Sequence, residues 1–360
     1  MAYSRQLLET EPDNPGYQAE LSYALSNLGT VSMERHKSES ALEYFQQSAA
    51  LSEVLVANSP GDMGLRVDLG NGYSWVGAAY LRLGLLQDSE AAYQKAVDVL
   101  SKLHEESGSP IHAENLAQNE YHLGNILAHR GELARATEQF RVARRLLDEL
   151  VAHDADNAIW RVDRAISAYH LGELARVTDD PETAREALGV AARDLRILLG
   201  IDPADVRSAC FLALTERSLG LLEPSSELAT RAHARARALV AITDTLKPQT
   251  ALVAAMPGTT YGRILSESGY GEAAAAAWSH SLRVLDRARN AGPAEQAVRS
   301  ALMCNLGRTE EAVALQADLA AYGLTDGVNA SSDLTLRIQP LREVFCLSQA
   351  PVEELNRPCS

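Results

Sequence analysis

His122 and His170 are the residues whose type and spacing most directly suggest chemistry. They stand 48 residues apart, in Tyr121-His122-Leu123-Gly124 and Tyr169-His170-Leu171-Gly172. A ladder of imidazoles would bind a metal. Equivalent positions on neighbouring packed helices lie about 10 Å apart, however, whereas each ligand of a zinc ion sits about 2 Å from it. The spacing therefore favours two repeat-equivalent polar positions, and the sequence predicts no metal site. Cys210, Cys304, Cys346 and Cys359 are far apart and form no CxxC pair, which excludes a zinc knuckle or a dithiol redox motif. Phosphate-cradling GxxxxGKS or GxxxxGKT, dinucleotide-binding GxGxxG, metalloprotease HExxH and nucleophile-elbow GxSxG patterns are absent, as are the kinase HRD and DFG signatures. No enzyme and no cofactor are expected.

One basic run, TRAHARARA at 230–238, places Arg231 and Arg235 on one helix face. It reads either as a patch for an acidic partner or as a solvated outer face balanced by Glu227 and Asp244. The second reading is the one the neighbouring charges favour. The net charge of −15 opposes general attraction to phosphate backbones or anionic lipid, so neither nucleic acid nor membrane is an expected partner. No apolar run approaches the roughly 18 residues needed to span a bilayer. The opening MAYSRQLLETEPDNPG lacks the basic start and apolar centre of a secretory signal. With scattered cysteines, these features predict a cytoplasmic chain.

The elements that position these side chains are helices. Hydrophobic residues make up 46% of the chain and aromatics only 5%, with Ala and Leu dominant, a mixture suited to close-packed helices. Glycines preceded by Leu or Val recur at Gly29, Gly77, Gly124, Gly172 and Gly220, in steps of 48, 47, 48 and 48 residues. A period of this length is the mark of a helical array. Twelve, sixteen and nineteen residues after each glycine comes a second helical face, read in the best copies as Ser89, Tyr93 and Ala96, and Ala136, Phe140 and Ala143. Turn-rich segments such as EPDNPG (11–16), SPGDMG (59–64), DADN (154–157) and DPAD (202–205) separate the units. Gly262 fits as a sixth glycine after a step of 42. Pro257-Gly258 predicts a shortened or kinked helix just before it.

Residues 71–96, with Gly77, Tyr80, Gly84, Tyr93 and Ala96 at fixed offsets, resemble the tetratricopeptide repeat (TPR), a helix–turn–helix unit. The repeats here are longer than the usual unit. They resemble long-period arrays attached to bacterial serine/threonine kinases and signalling regulators. The resemblance implies an all-α fold, a right-handed superhelical α-solenoid of antiparallel helix pairs. It divides the chain into the second half of a truncated repeat (1–14), five long repeats (15–248), two shorter degenerate repeats (249–323) and a loop with a capping helix (324–360). Because the start aligns with the second helix of a unit, a longer protein carrying further repeats or an effector domain upstream is expected.

In TPR arrays the first helix of each pair lines a concave groove. Carried over at matching positions, the resemblance places Asn71, Ser74, Gln118, Tyr121, Asn125, Tyr169, Glu173, Arg176 and Arg217 in a peptide-binding groove. Gly29, Gly77, Gly124, Gly172, Gly220 and Gly262 become structural positions. Tyr and Arg supply rigid contact area and forked donors, and a two-sided amide such as Asn125 can hold a peptide backbone. The alternative for Tyr121 and Tyr169 is packing between units. The implied function is a non-enzymatic scaffold binding a protein or peptide segment. The alternative is a C-terminal sensor or regulatory module of a larger signalling protein, a kinase or a transcription regulator.

Overall fold

The computed structural model describes residues 10–11, 13–35, 37–222, 251–286 and 293–308, together with 227, 230–232, 234, 235, 237, 238, 310–312, 314 and 315. Among the described residues these helices have defined bounds, in order: α1 (Pro15–Glu34), α2 (Ser38–Asn58), α3 (Met63–Arg82), α4 (Leu86–Ser107), α5 (Pro110–His129), α6 (Leu133–His153), α7 (Ala158–Val177), α8 (Pro181–Ile201), α9 (Val206–Leu222), α10 (Ala251–Glu267), α11 (Gly271–Asp286) and α12 (Pro293–Asn305). No strand occurs among the described residues. No helix among them is long and apolar enough to cross a membrane. The chain forms two compact units, residues 1–126 and 127–360, with the boundary inside α5.

The turn-rich segments start helices by capping. The side chain of Asn14 accepts from the Gly16 and Tyr17 amides ahead of α1, with Pro15 as the first helical residue. Asp62 accepts from Leu65 N at α3, Asn157 from Trp160 N at α7, and Asp205 from Arg207 N and Ser208 N at α9. Each bond satisfies amides that the first helical turn leaves open. Seven residues after the repeat glycine the backbone turns left-handed, at Gly84 (φ 76°), Gly131 (φ 82°), Asp179 (φ 60°) and Gly269 (φ 84°). The amide following each turn reaches back five residues. Leu85 N donates to the Tyr80 carbonyl at 2.9 Å, and Asp180 N to the Ala175 carbonyl at 2.8 Å. This closure stops the first helix and reverses the chain into the second.

The repeat glycine and the residue sixteen later meet inside four of the helix pairs. A Cβ on Gly29 would come within 2.4 Å of the Phe45 ring, on Gly77 within 2.9 Å of Tyr93, on Gly172 within 2.6 Å of Leu188 and on Gly262 within 2.3 Å of Trp278. The large side chain therefore lies against bare backbone, and the helices approach closely. Small residues complete the crossing: Ala41, Ser89, Ala96, Ala184 and Ala191 are fully buried or nearly so. Ser89 satisfies its hydroxyl by donating to the Gly77 carbonyl at 2.8 Å.

Polar groups also join helices. In the first unit Ser22, Ser48 and Ser52 form a buried hydroxyl cluster between α1 and α2, with Ser22 Oγ 2.9 Å from Ser48 Oγ. In the second unit the fully buried Asp194 of α8 takes Arg161 at 3.0 Å and Arg164 at 2.7 Å, both from α7. The interruption expected at Pro257 is not a break. α10 continues through Pro257 as far as Glu267. Gly258 lets this helix lie against α11, since a Cβ there would stand 2.9 Å from the Ala277 carbonyl oxygen. The half-repeat expected over 1–14 is described only at Thr10, Glu11, Asp13 and Asn14, and the capping helix expected within 324–360 lies outside the described residues.

Candidate binding face

A 3.6-residue period puts every third or fourth side chain of a helix on one face. In the first unit, one such face of the first helices is open. On α1 it carries Glu20, Tyr23 and Asn27, all exposed. On α3 it carries Asp68, Asn71 and Trp75, and on α5 Glu114 and Gln118. Tyr23 is 72% exposed and Trp75 42%, high values for large aromatic rings on repeat helices. Trp75 is nevertheless held in place: its indole stacks on Phe45 of α2 with ring centroids 5.5 Å apart and 15° between planes.

Of the groove residues expected in this unit, Gln118 is exposed, and Asn71, Ser74 and Tyr121 are partly exposed. Ser74 bridges helices, its hydroxyl donating to Asn119 Oδ1 of α5 at 2.7 Å. Tyr121 lies edge-on to His122 at 5.5 Å. Asn125 differs from expectation. It is buried, and its amide donates to the Tyr121 carbonyl one turn back at 2.9 Å, so it completes its own helix instead of facing solvent.

The second unit treats the same positions differently. Residues Ala165–Ala175 of α7 and Val206–Ser218 of α9 are buried continuously, on all sides of each helix. Tyr169 is fully buried, edge-on to Phe211 of α9 at 5.4 Å. Burial pushes its phenol upward. Glu173 is also fully buried. It accepts from Arg176 Nε at 3.0 Å and Arg176 Nη2 at 3.2 Å, and Arg217 Nη1 lies 3.7 Å away. Burial alone would raise the Glu173 carboxyl, but Arg176 and Arg217 outweigh it and draw it down to about 2. The structure thus brings Tyr169, Glu173, Arg176 and Arg217 together, as an ionic cluster joining α7 to α9. The expectation that Tyr169, Glu173 and Arg217 line an open groove is corrected here: the stretches of α7 and α9 that carry them are enclosed. Of the four cluster residues only Arg176 keeps partial exposure.

The two histidines have a packing role. His122 stacks on Tyr93 at 5.1 Å and 22°, and His170 on Phe140 at 5.3 Å and 11°. Trp75 on Phe45 is the same contact one repeat earlier. In each case the residue two before a repeat glycine lies flat on the aromatic sixteen after the previous glycine. The sequence carried this signal in two columns of the repeat, and aligning the −2 column with the +16 column would have exposed it. Among the described residues no group of three His, Cys, Asp or Glu side chains is arranged to hold a metal. Of the basic run at 230–238, Arg231 pairs with Glu227 at 3.4 Å, and Arg235 reaches the buried Glu216 at 3.5 Å.

No protein-family model matches the chain, and no curated protein matches it. Solved structures do resemble it. The apo form of RapI is 14% identical over 84% of this chain and 98% of its own, with a TM-score of 0.51. A tetratricopeptide repeat protein from Parabacteroides merdae ATCC 43184 is 14% identical over 90% of this chain and 99% of its own, with a TM-score of 0.44. The chain has an all-α, TPR-like helical-repeat fold.

Proposed function

We propose that the chain is a non-enzymatic scaffold that binds a segment of a partner protein on the open face of α1, α3 and α5. One observation supports this reading above others. Equivalent positions in the middle of the first helices are open in the first unit and enclosed in the second, and Tyr23 and Trp75 stand exposed on the open face. Tyr23 and Trp75 offer rigid area at low entropy cost, and Asn71 and Gln118 offer paired donor and acceptor groups. A surface preorganised on packed helices binds without an ordering penalty of its own.

The test is capture of partners by the wild-type chain and by a Gln118→Ala, Tyr121→Ala double variant. Folding is checked by circular dichroism, and Glu43→Ala on the outer helix α2 serves as control. Loss of captured partners in the double variant alone is the expected result. Equal capture by all three proteins would overturn the assignment of this face.

A further inference from the structure

We infer that the partner segment received by this face is basic, with Arg or Lys side chains pairing with Glu20 of α1 and Asp68 of α3 beside the exposed rings of Tyr23 and Trp75. The inference rests on the reading of the α1–α3–α5 face as the binding surface, and adds the chemistry of its occupant.

Three observations carry it. First, the face is one-signed where it is most open. Glu20 and Asp68 occupy the same place on α1 and α3, nine residues before the repeat glycine, and Glu114 lies in the first half of α5. Within the first unit these three helices contain no Lys or Arg except Arg66 and Arg82, both on α3. Arg66 is engaged elsewhere, its Nη2 donating to Glu106 Oε1 of α4 at 2.9 Å. Second, among the described residues neither Glu20 nor Asp68 has a hydrogen-bond or ion-pair partner. Both lie beyond the first helical turn, where stabilisation of carboxylates by the helix dipole has faded. Asp68 is exposed, yet its surroundings remove enough water to raise its carboxyl, and the like charge of Asp62 raises it further. A bound cation relieves both effects. Third, the aromatics stand where a cation needs them. Tyr23 follows Glu20 by three residues and Trp75 follows Asp68 by seven, each on the face of its carboxylate. Either carboxylate can pair with a guanidinium or ammonium, and the aromatic ring on the same helix face adds attraction for that cation.

The experiment uses the full chain and three fluorescein-labelled nonapeptides of matched length: one alternating Arg with Ser, one alternating Glu with Ser, and one of Gly and Ser only. Fluorescence anisotropy is read at low and high salt. A Glu20→Gln, Asp68→Asn variant is compared with Glu39→Gln, Glu43→Gln on α2, which removes the same charge from another surface. The expected result is binding of the Arg peptide alone. It weakens by about tenfold in the face variant and by less than about twofold in the control, and Trp75→Ala weakens it as well. Equal weakening by the two double variants would reduce the effect to net charge and overturn the inference, as would absence of Arg-peptide binding or equal binding of the Glu peptide. If the Arg peptide fails while partner capture still depends on Gln118 and Tyr121, this inference falls and the binding face stands.

Discussion

The imidazole of His170 lies flat on the ring of Phe140, centroids 5.3 Å apart and planes 11° from parallel. This contact joins the second helix of one repeat, α6, to the first helix of the next, α7. Trp75 on Phe45 and His122 on Tyr93 are its counterparts in the first unit. The residue pair works as a spacer. A planar ring of fixed thickness sets how closely successive repeats stack.

The spacer at His170 makes stability depend on pH. Burial lowers its imidazole from the ordinary value near 6.5 to about 3, so the folded chain holds it neutral. Between these values the unfolded chain binds more protons than the folded one, and stability must rise with pH. The contribution is complete above about pH 6.5 and is lost as pH falls toward 3, at up to about 1.4 kcal/mol per pH unit. His170→Phe keeps a stacking ring without the titration. Urea midpoints from pH 7 to pH 4 should fall less steeply in this variant than in the wild type.

Glu173 links α7 to α9 through Arg176 and Arg217. Glu173→Ala would leave the buried Arg217 and the partly exposed Arg176 without their carboxylate, at a cost of about 3–5 kcal/mol. Its folded carboxyl is depressed, so the stabilisation is present above about pH 4.5 and is lost as pH falls toward 2. The check is chemical denaturation at pH 7, where the variant should unfold at markedly lower denaturant while the Glu20→Gln, Asp68→Asn variant does not.

Asp179 holds φ 60° at the place where other repeats use Gly84, Gly131 and Gly269. A side chain in the left-handed region is strained by roughly 1 kcal/mol relative to glycine. Asp179→Gly should therefore stabilise the second unit by about 0.5–1 kcal/mol. Thermal unfolding followed by circular dichroism would show the rise; a fall in midpoint would mean that the aspartate side chain contributes more than its backbone costs.

Gly262 is tighter than Gly29, Gly77 and Gly172, with Trp278 Nε1 2.3 Å from the place of an added Cβ. Gly262→Ala should destabilise by about 1–3 kcal/mol, the usual cost of overpacking. Adding Trp278→Leu should recover part of this loss, because the clash is with the ring. Denaturant midpoints of the single and double variants measure both effects.

By itself the sequence determined the helical pairs and their punctuation. Glycines at steps of 48, 47, 48 and 48, caps at Asp62 and Asn157, and left-handed turns at Gly84 and Gly131 depend on local backbone sterics and side-chain reach, which a linear pattern records. The −2 to +16 stacks were also written there, in two columns that had to be aligned with one another. Which first-helix face meets solvent was decided only by tertiary packing. Asn71 and Gln118 stay accessible, whereas Tyr169 and Glu173, on the same helix type, are enclosed by Phe211, Arg217 and their neighbours. Repeat position fixes the direction of a side chain relative to its own helix. Exposure depends on what else packs against that direction, and residues far along the chain set it.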